Sequence, residues 1–266
     1  MPIQPIITIL TDFGTKDGYV GSVKGVLKTI CPEAEIIDIT QDIHPYDIEQ
    51  GAFTLFNYYR QFPADTIHLS VVDPGVGSNR KAMILKTDNH TFIGPDNGLF
   101  HFILQAETQW QAYEINSSAL PEKPKGSTFH ARDIFAPTAA LLALHRSHEV
   151  QGKRIEQPVK INMIKCQENA LIWNVKIVSI DRFGNLITAL RMTDLPEQSV
   201  SKIKKLRFKN FESEQINQYY FEKNKNEPLF IWNSHGFLEL AVSRGNAAEY
   251  FQVNTKGQTI ELVMNQ

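Results

Sequence analysis

Two aspartates stand where apolar runs give way to polar turns. Asp12 lies in Thr11-Asp12-Phe13-Gly14 and Asp73 opens Asp73-Pro74-Gly75-Val76-Gly77. A carboxylate on such a turn can grip the hydroxyls of a ribose or orient a base; it can equally cap the turn or the helix that follows. Thr128-Phe129-His130-Ala131-Arg132-Asp133 enters a helical pattern with a histidine at its start. Beside a turn holding Asp73 and Arg80, His130 could complete an Asp–His–Arg cluster; a purely structural histidine is the alternative. Two further polar signatures, Asp181-Arg182-Phe183-Gly184-Asn185 and Asn233-Ser234-His235-Gly236, fall at strand ends, where turn chemistry alone accounts for them.

Other chemistries lack their residues. Gly75-Val76-Gly77 starts like a dinucleotide fingerprint but has no third glycine, and no Gly-Lys-Ser/Thr phosphate loop occurs. No Gly-x-Ser-x-Gly elbow is present for a serine nucleophile. His145 and His148 flank Arg146 and Ser147 at a helix end, which a solvated terminus explains better than a metal site. Cys31 and Cys166 are far apart and form no metal-spacing motif, so both read as reduced cytosolic thiols.

The first half of the chain alternates strand and helix signals that place these turns. Ile6 to Leu10 is a short apolar run, as a strand buried on both faces requires. Val20, Val23, Leu27 and Ile30 keep helical spacing until Cys31-Pro32 stops them. Strands follow at Glu35 to Ile39, Thr66 to Val72, Ala82 to Lys86 and Thr91 to Ile93, with a second helix from Asp47 to Tyr59. Gly94-Pro95-Asp96-Asn97-Gly98 should open a short helix, and a last helix covers Asp133 to His145, with Pro137 in its first turn or kinking it. This alternation predicts an α/β domain over residues 1–158 with a mostly parallel sheet, whose ligands bind beyond the carboxyl ends of its strands. Asp12, Asp73 and Gly94 to Gly98 all fall at that edge.

Residues 159–266 have a different texture. Leu171 to Ile180, Ile203 to Phe208 and Phe237 to Val242 alternate, Thr259 to Val263 is a last short strand, and no long amphipathic helix interrupts them. A small all-β domain, of barrel type, is expected. The 266 residues carry 42% hydrophobic and 21% charged side chains and a net charge of −2. That balance fits a soluble cytoplasmic protein and offers no basic face for nucleic acid or a membrane surface. Met1 to Leu10 is apolar but lacks the basic flank of a signal peptide, and no run is long enough to span a bilayer.

Taken in order, these motifs resemble the S-adenosylmethionine hydroxide adenosyltransferases, relatives of the fluorinase and chlorinase enzymes. The resemblance rests on Thr11-Asp12-Phe13-Gly14, Asp73-Pro74-Gly75-Val76-Gly77-Ser78, Pro95-Asp96-Asn97-Gly98, Thr128-Phe129-His130, Asp181-Arg182-Phe183-Gly184-Asn185, Asn233-Ser234 and Gly245-Asn246-Ala247-Ala248. It implies an N-terminal Rossmann-like domain, a C-terminal β-barrel, and a homotrimer with sites between subunits. It implies hydrolysis of S-adenosyl-L-methionine to adenosine and L-methionine, with no metal and no cofactor. Asp73, Arg80 and His130 match the family's water-activating triad, and Asp12 the carboxylate that holds the ribose diol. Tyr46 falls where an aromatic lies beside the nucleoside. Phe183 and Asn185 match residues at the adenine, Asp181 the partner of the methionine ammonium, and Ser234 a contact to its carboxylate. Tyr219 or Tyr220 would supply another aromatic wall.

Departures from the pattern sharpen these expectations. His235 stands where relatives often carry serine or arginine, at the methionine-carboxylate contact. The segment from Asp73 to Pro95 lacks the long insertion of the fluorinase, and Ala131 replaces the serine that helps hold fluoride there. Water is therefore expected as nucleophile ahead of a halide. The alternatives are a chlorinase-like enzyme and a non-catalytic nucleoside or S-adenosylmethionine binder. A methyltransferase would carry a glycine-rich loop after its first strand, which this chain lacks.

Overall fold

In a computed structural model the protein is described at residues 4–122, 126–166, 171–195 and 202–265. It divides into two compact units, Met1–Ile161 and Asn162–Gln266.

The first unit is built on β1 (Ile6–Thr11), β2 (Glu35–Thr40), β3 (Thr66–Val71), β4 (Ala82–Thr87), β5 (His90–Pro95), β6 (Trp110–Ile115) and β7 (Gln151–Arg154). They form one sheet in the order β2-β1-β3-β5-β4-β6-β7. Alternating side chains give the sheet two buried faces. Ile7 and Ile9 of β1 and Ile67, Leu69 and Val71 of β3 pack with α1 (Tyr19–Ile30) and the alanine-rich α4 (Ala136–Ala143). Leu10, Leu85 and Phe92 pack on the other face with α2 (Ile48–Tyr58) and α3 (His101–Ala106). A four-residue helix α5 (Ser147–Val150) leads into β7.

Two local expectations need correction. The sheet is mixed: β2-β1-β3-β5 are parallel neighbours, whereas β5-β4, β4-β6 and β6-β7 run antiparallel. The reason is the short turn at Asp88-Asn89, where Thr87 and His90 exchange hydrogen bonds of 3.1 Å through the threonine hydroxyl; a connection that short can only return antiparallel. The helix after Gly94–Gly98 starts only at His101, because β5 runs on to Pro95. The last helix begins with a wide π turn, Ala131–Phe135, ahead of α4. Pro137 lies in the first turn of α4, where its missing N–H is compatible with the broken helical ladder.

The second unit contains β8 (Ile164–Cys166), β9 (Ile172–Ile180), β10 (Leu186–Arg191), β11 (Ile203–Phe208), β12 (Phe211–Ser213), β13 (Pro228–Trp232), β14 (Phe237–Val242), the short α6 (Ala247–Tyr250) and β15 (Thr259–Met264). The order is β12-β11-β15-β9-β10-β14-β13, with β8 beside β9, and every named pairing is antiparallel. The end strands nearly meet: Phe211 of β12 stacks on Phe230 of β13 with ring centroids 5.4 Å apart. This near-closure makes the sheet barrel-like and protects its edges.

Candidate active site

Asp12 and Asp73 follow β1 and β3, adjacent parallel strands, so register alone brings them to one edge of the sheet. They line a cleft of about 740 Å³ together with Tyr46, Phe129 and His130. Four chain segments converge there, and the turns that carry them explain why.

Asp73 starts a loop that folds back on itself. Gly77 has φ +80°, and a Cβ on it would stand 2.8 Å from the Ser127 carbonyl oxygen. Glycine therefore permits both the backbone turn and the close approach of the 73–80 loop to the segment leading into His130. Arg80 returns from that loop onto Asp73. Its Nε donates to Asp73 Oδ1 at 2.9 Å and Oδ2 at 3.0 Å, and its Nη2 also donates to Oδ2. The same Nη2 lies 2.8 Å from His130 Nδ1. Phe135 packs under the guanidinium, with Cζ 5.2 Å from its ring centroid. Both charged side chains are nearly buried, so their pairing is shielded from solvent.

This geometry fixes the protonation of His130. Arginine has no acceptor, so Nδ1 must present its lone pair to Arg80 and the neutral ring carries its proton on Nε2. Burial first, then the charge of Arg80, holds His130 below the ordinary imidazole value, against the opposing pull of Asp73 and Asp133. The cluster thus joins a carboxylate, a guanidinium and a neutral imidazole whose Nε2–H is a donor.

Asp12 is tied differently. Its Oδ2 accepts the Tyr46 backbone N–H at 2.8 Å. Burial raises its carboxyl above the usual range; the Tyr46 bond and its own backbone N–H oppose this, and Asp73 adds to it. Tyr46 takes the left-handed conformation at φ 68°, just ahead of Asp47, whose side chain caps α2 by accepting from Gln50 N–H. The Tyr46 ring is 73% exposed, so it forms a wall of the cleft without packing of its own. Phe13, Tyr19 and Phe129 form a second wall that the sequence did not single out. Their rings meet edge to face at 5.4–6.0 Å, and Arg132 stands 4.8 Å over Phe129. Phe13 and Phe129 sit inside the motifs quoted above, which was the available signal.

The remaining expected residues belong to the second unit. Asp181 organises its own turn: Oδ1 accepts the N–H groups of Phe183 at 2.9 Å and Asn185 at 2.8 Å, and Oδ2 accepts Asn185 Nδ2 at 3.0 Å. Gly184, at φ +83°, packs so closely on Asn246 that any Cβ would clash. The turn leaves Phe183 74% exposed while Asn185 is buried. Ser234 Oγ lies 3.2 Å from His235 Nδ1, in a turn that Asn233 Oδ1 braces by accepting from the His235 and Phe237 N–H groups.

Fold and site define an α/β protein with a polar cleft at the carboxyl ends of parallel strands, joined in sequence to an antiparallel barrel-like unit. Comparison with known proteins narrows that class. Residues 7–152 match the SAM hydroxide adenosyltransferase N-terminal domain, and residues 175–260 match the C-terminal domain. The chain belongs to the SAM hydroxide adenosyltransferase family. It is 35% identical to a protein of Methanocaldococcus jannaschii named (R)-S-adenosyl-L-methionine hydrolase, over 95% of this chain and 94% of that one. A Thermus thermophilus protein of the same name is 32% identical over 91% and 94% of the two chains. An uncharacterized conserved protein from Thermotoga maritima, solved by crystallography, superposes with a TM-score of 0.80 at 32% identity, covering 97% of this chain and 99% of that one.

Proposed function

We propose that this protein hydrolyses S-adenosyl-L-methionine to adenosine and L-methionine, using a water oriented by Asp73, Arg80 and His130. The reading is carried by the Arg80 guanidinium, which donates to Asp73 and His130 at once beside the cleft. The names of the M. jannaschii and T. thermophilus relatives support the same reaction.

The chemistry needs little else. A sulfonium is already a good leaving group, so no acid or metal is needed to expel it. Water oxygen attacks C5′ in line with the C5′–S bond. That bond's electron pair leaves with sulfur as the neutral thioether of methionine, and the attacking water loses one proton. Placement of the water supplies the proximity contribution, and a positioned acid–base group adds roughly 10²–10⁴-fold. His130 Nδ1 is engaged by Arg80, so the ring serves as a donor that holds the water oxygen rather than as the proton acceptor. Arg80 lowers the free energy of developing hydroxide, which leaves Asp73 as the acceptor within the cluster. Asp12 binds the ribose diol and Tyr46 covers the nucleoside. Phe183 and Asn185 meet the adenine, Asp181 the methionine ammonium and Ser234 its carboxylate. The same reading includes a cytoplasmic homotrimer whose subunits share each site, a state that analytical ultracentrifugation measures directly.

The test is chromatography of products from S-adenosylmethionine in halide-free buffer, run beside Asp73→Ala. Adenosine and methionine formed only by the wild type are expected. Equal turnover by Asp73→Ala would remove Asp73 from the mechanism. Product that forms only after chloride is added would replace water by halide as the nucleophile.

A further inference from the structure

Glu239 of the second unit is placed where simple packing would favour an apolar side chain. It lies in the middle of β14, opposite Ile187 of β10 and Ile231 of β13, and is 2% exposed. A buried carboxylate costs free energy that an apolar side chain at the same position would not. Among the described residues no cation shares its charge: its neighbours are the Tyr220 hydroxyl, which donates to Oε1 at 2.8 Å, the Asn233 side chain, and the like-charged Asp181. Burial pushes its carboxyl up, the Tyr220 and Asn233 bonds draw it down, and Asp181 raises it again.

What Glu239 gains is connection. Asn233 already spends its Oδ1 on the backbone of the Ser234–Phe237 turn, so its amide is the end that reaches Glu239. One carboxylate therefore joins the turn carrying Ser234 to the ring of Tyr220, which is 39% exposed and belongs to a separate short helical turn, Tyr220–Glu222. The Asp181–Asn185 turn enters β10 two residues before Ile187, directly across from Glu239. Buried polar networks of this kind fix one arrangement when every member is satisfied.

We propose that Glu239 is a positioning residue for substrate binding, holding the Tyr220 ring and the Asn233–Ser234–His235 turn in a single fixed relation. The proposal rests on the reading above that Ser234 meets the amino-acid half of the substrate. A carboxylate accepts both donors at once through charge-assisted bonds. Glutamine keeps one acceptor oxygen for Asn233 and turns its N–H₂ toward the Tyr220 hydroxyl, so both links survive only as weaker neutral bonds with the Tyr220 bond reversed.

The experiment is a double-mutant cycle on the full chain with Glu239→Gln and Tyr220→Phe, reading KM and kcat for S-adenosylmethionine, with Ser234→Ala alongside. Glu239→Gln should raise KM about tenfold while kcat stays within about twofold, because binding rather than chemistry is disturbed. Tyr220→Phe keeps the ring and should raise KM about threefold, with the double variant no worse than Glu239→Gln alone, as expected for residues acting through one link. Full additivity, or unchanged KM in both single variants, overturns the proposal. If Glu239→Gln does not fold, Tyr220→Phe decides by itself, since only an exposed ring's hydroxyl is lost: an unchanged KM overturns the proposal and a raised KM at constant kcat supports it. A raised KM in Ser234→Ala beside unchanged KM in the other two refutes the role of Glu239 alone. An unchanged KM in Ser234→Ala as well refutes the underlying placement of the substrate.

Discussion

Arg80→Lys separates charge from geometry in the Asp73–Arg80–His130 cluster. The guanidinium makes two contacts from Nε and two from Nη2, and Nη2 is shared between Asp73 and His130. A lysine keeps the positive charge, but its single ammonium reaches less far and cannot reproduce a planar fork. It can stay on Asp73, and His130 Nδ1 then loses its donor. The imidazole is freed to exchange tautomers, and the water loses a fixed Nε2–H partner. Losing one preorganised donor at a reacting oxygen costs about 10²–10³ in kcat, or about 2.7–4 kcal/mol. In the proposed site substrate contacts lie on other side chains, so KM should change by less than about threefold. Initial rates of adenosine release, measured against substrate concentration, give both constants. Arg80→Met should go further and raise the His130 pKa, because the Arg80 charge that helps depress it is gone while Asp73 and Asp133 remain. Titration of the His130 ring by NMR measures that shift. A kcat for Arg80→Lys within about threefold of wild type would refute the argument that the shared fork, rather than mere charge, organises the site.

Asp12→Asn retains an acceptor for the Tyr46 N–H but loses the charge and one acceptor oxygen facing the cleft. Affinity for adenosine and for S-adenosylmethionine should fall together, by about 10–100-fold, the range of a charged hydrogen bond; calorimetry with adenosine checks it, and an unchanged adenosine affinity would remove the ribose assignment. His68 gives a stability prediction. It is fully buried, with Nδ1 2.8 Å from Thr8 Oγ1 and the ring stacked on Phe92, and burial followed by its neighbour His90 holds its pKa at about 3. The unfolded chain protonates near 6.5 while the folded one does not, so the stabilising contribution is full above that value and is lost as pH falls toward about 3. Between about pH 7.5 and about pH 5 this amounts to about 2 kcal/mol at about 1.4 kcal/mol per unit. Urea unfolding at the two pH values should show that loss in the wild type and a correspondingly flatter dependence in His68→Gln at equal protein concentration; identical slopes would show that His68 does not carry it.

Which parts of this molecule can be read from its sequence depends on how each segment meets solvent. α1 was legible because its buried residues Val20, Val23 and Leu27 repeat on one face while the opposite face is polar. β1 and β3 were legible as short apolar runs ending at aspartates, and that punctuation located one edge of the site. The second unit hid more. Leu186–Arg191 is buried along its whole length, so no alternation marks β10, and Pro228–Trp232 begins with a residue that argues against an interior strand. β6 and β7 escaped because their exposed polar residues obscure the period, and with them went the antiparallel half of the sheet. Within the site, residue types indicated which groups could cluster, but the shared Arg80 Nη2 depends on a backbone turn at Gly77 that no periodicity encodes. Glu239 was the least legible residue of all. In Phe237-Leu238-Glu239-Leu240-Ala241 it reads as an outward-facing break in an apolar strand, the usual place for a charge. The inference fails because every residue of β14 is buried, so both faces of the strand are covered and the carboxylate has no solvent to meet. A polar residue in an apolar run is thus ambiguous until the covering of both sheet faces is known: on an open face it means solvent, and on a covered one it means a partner that the fold must supply.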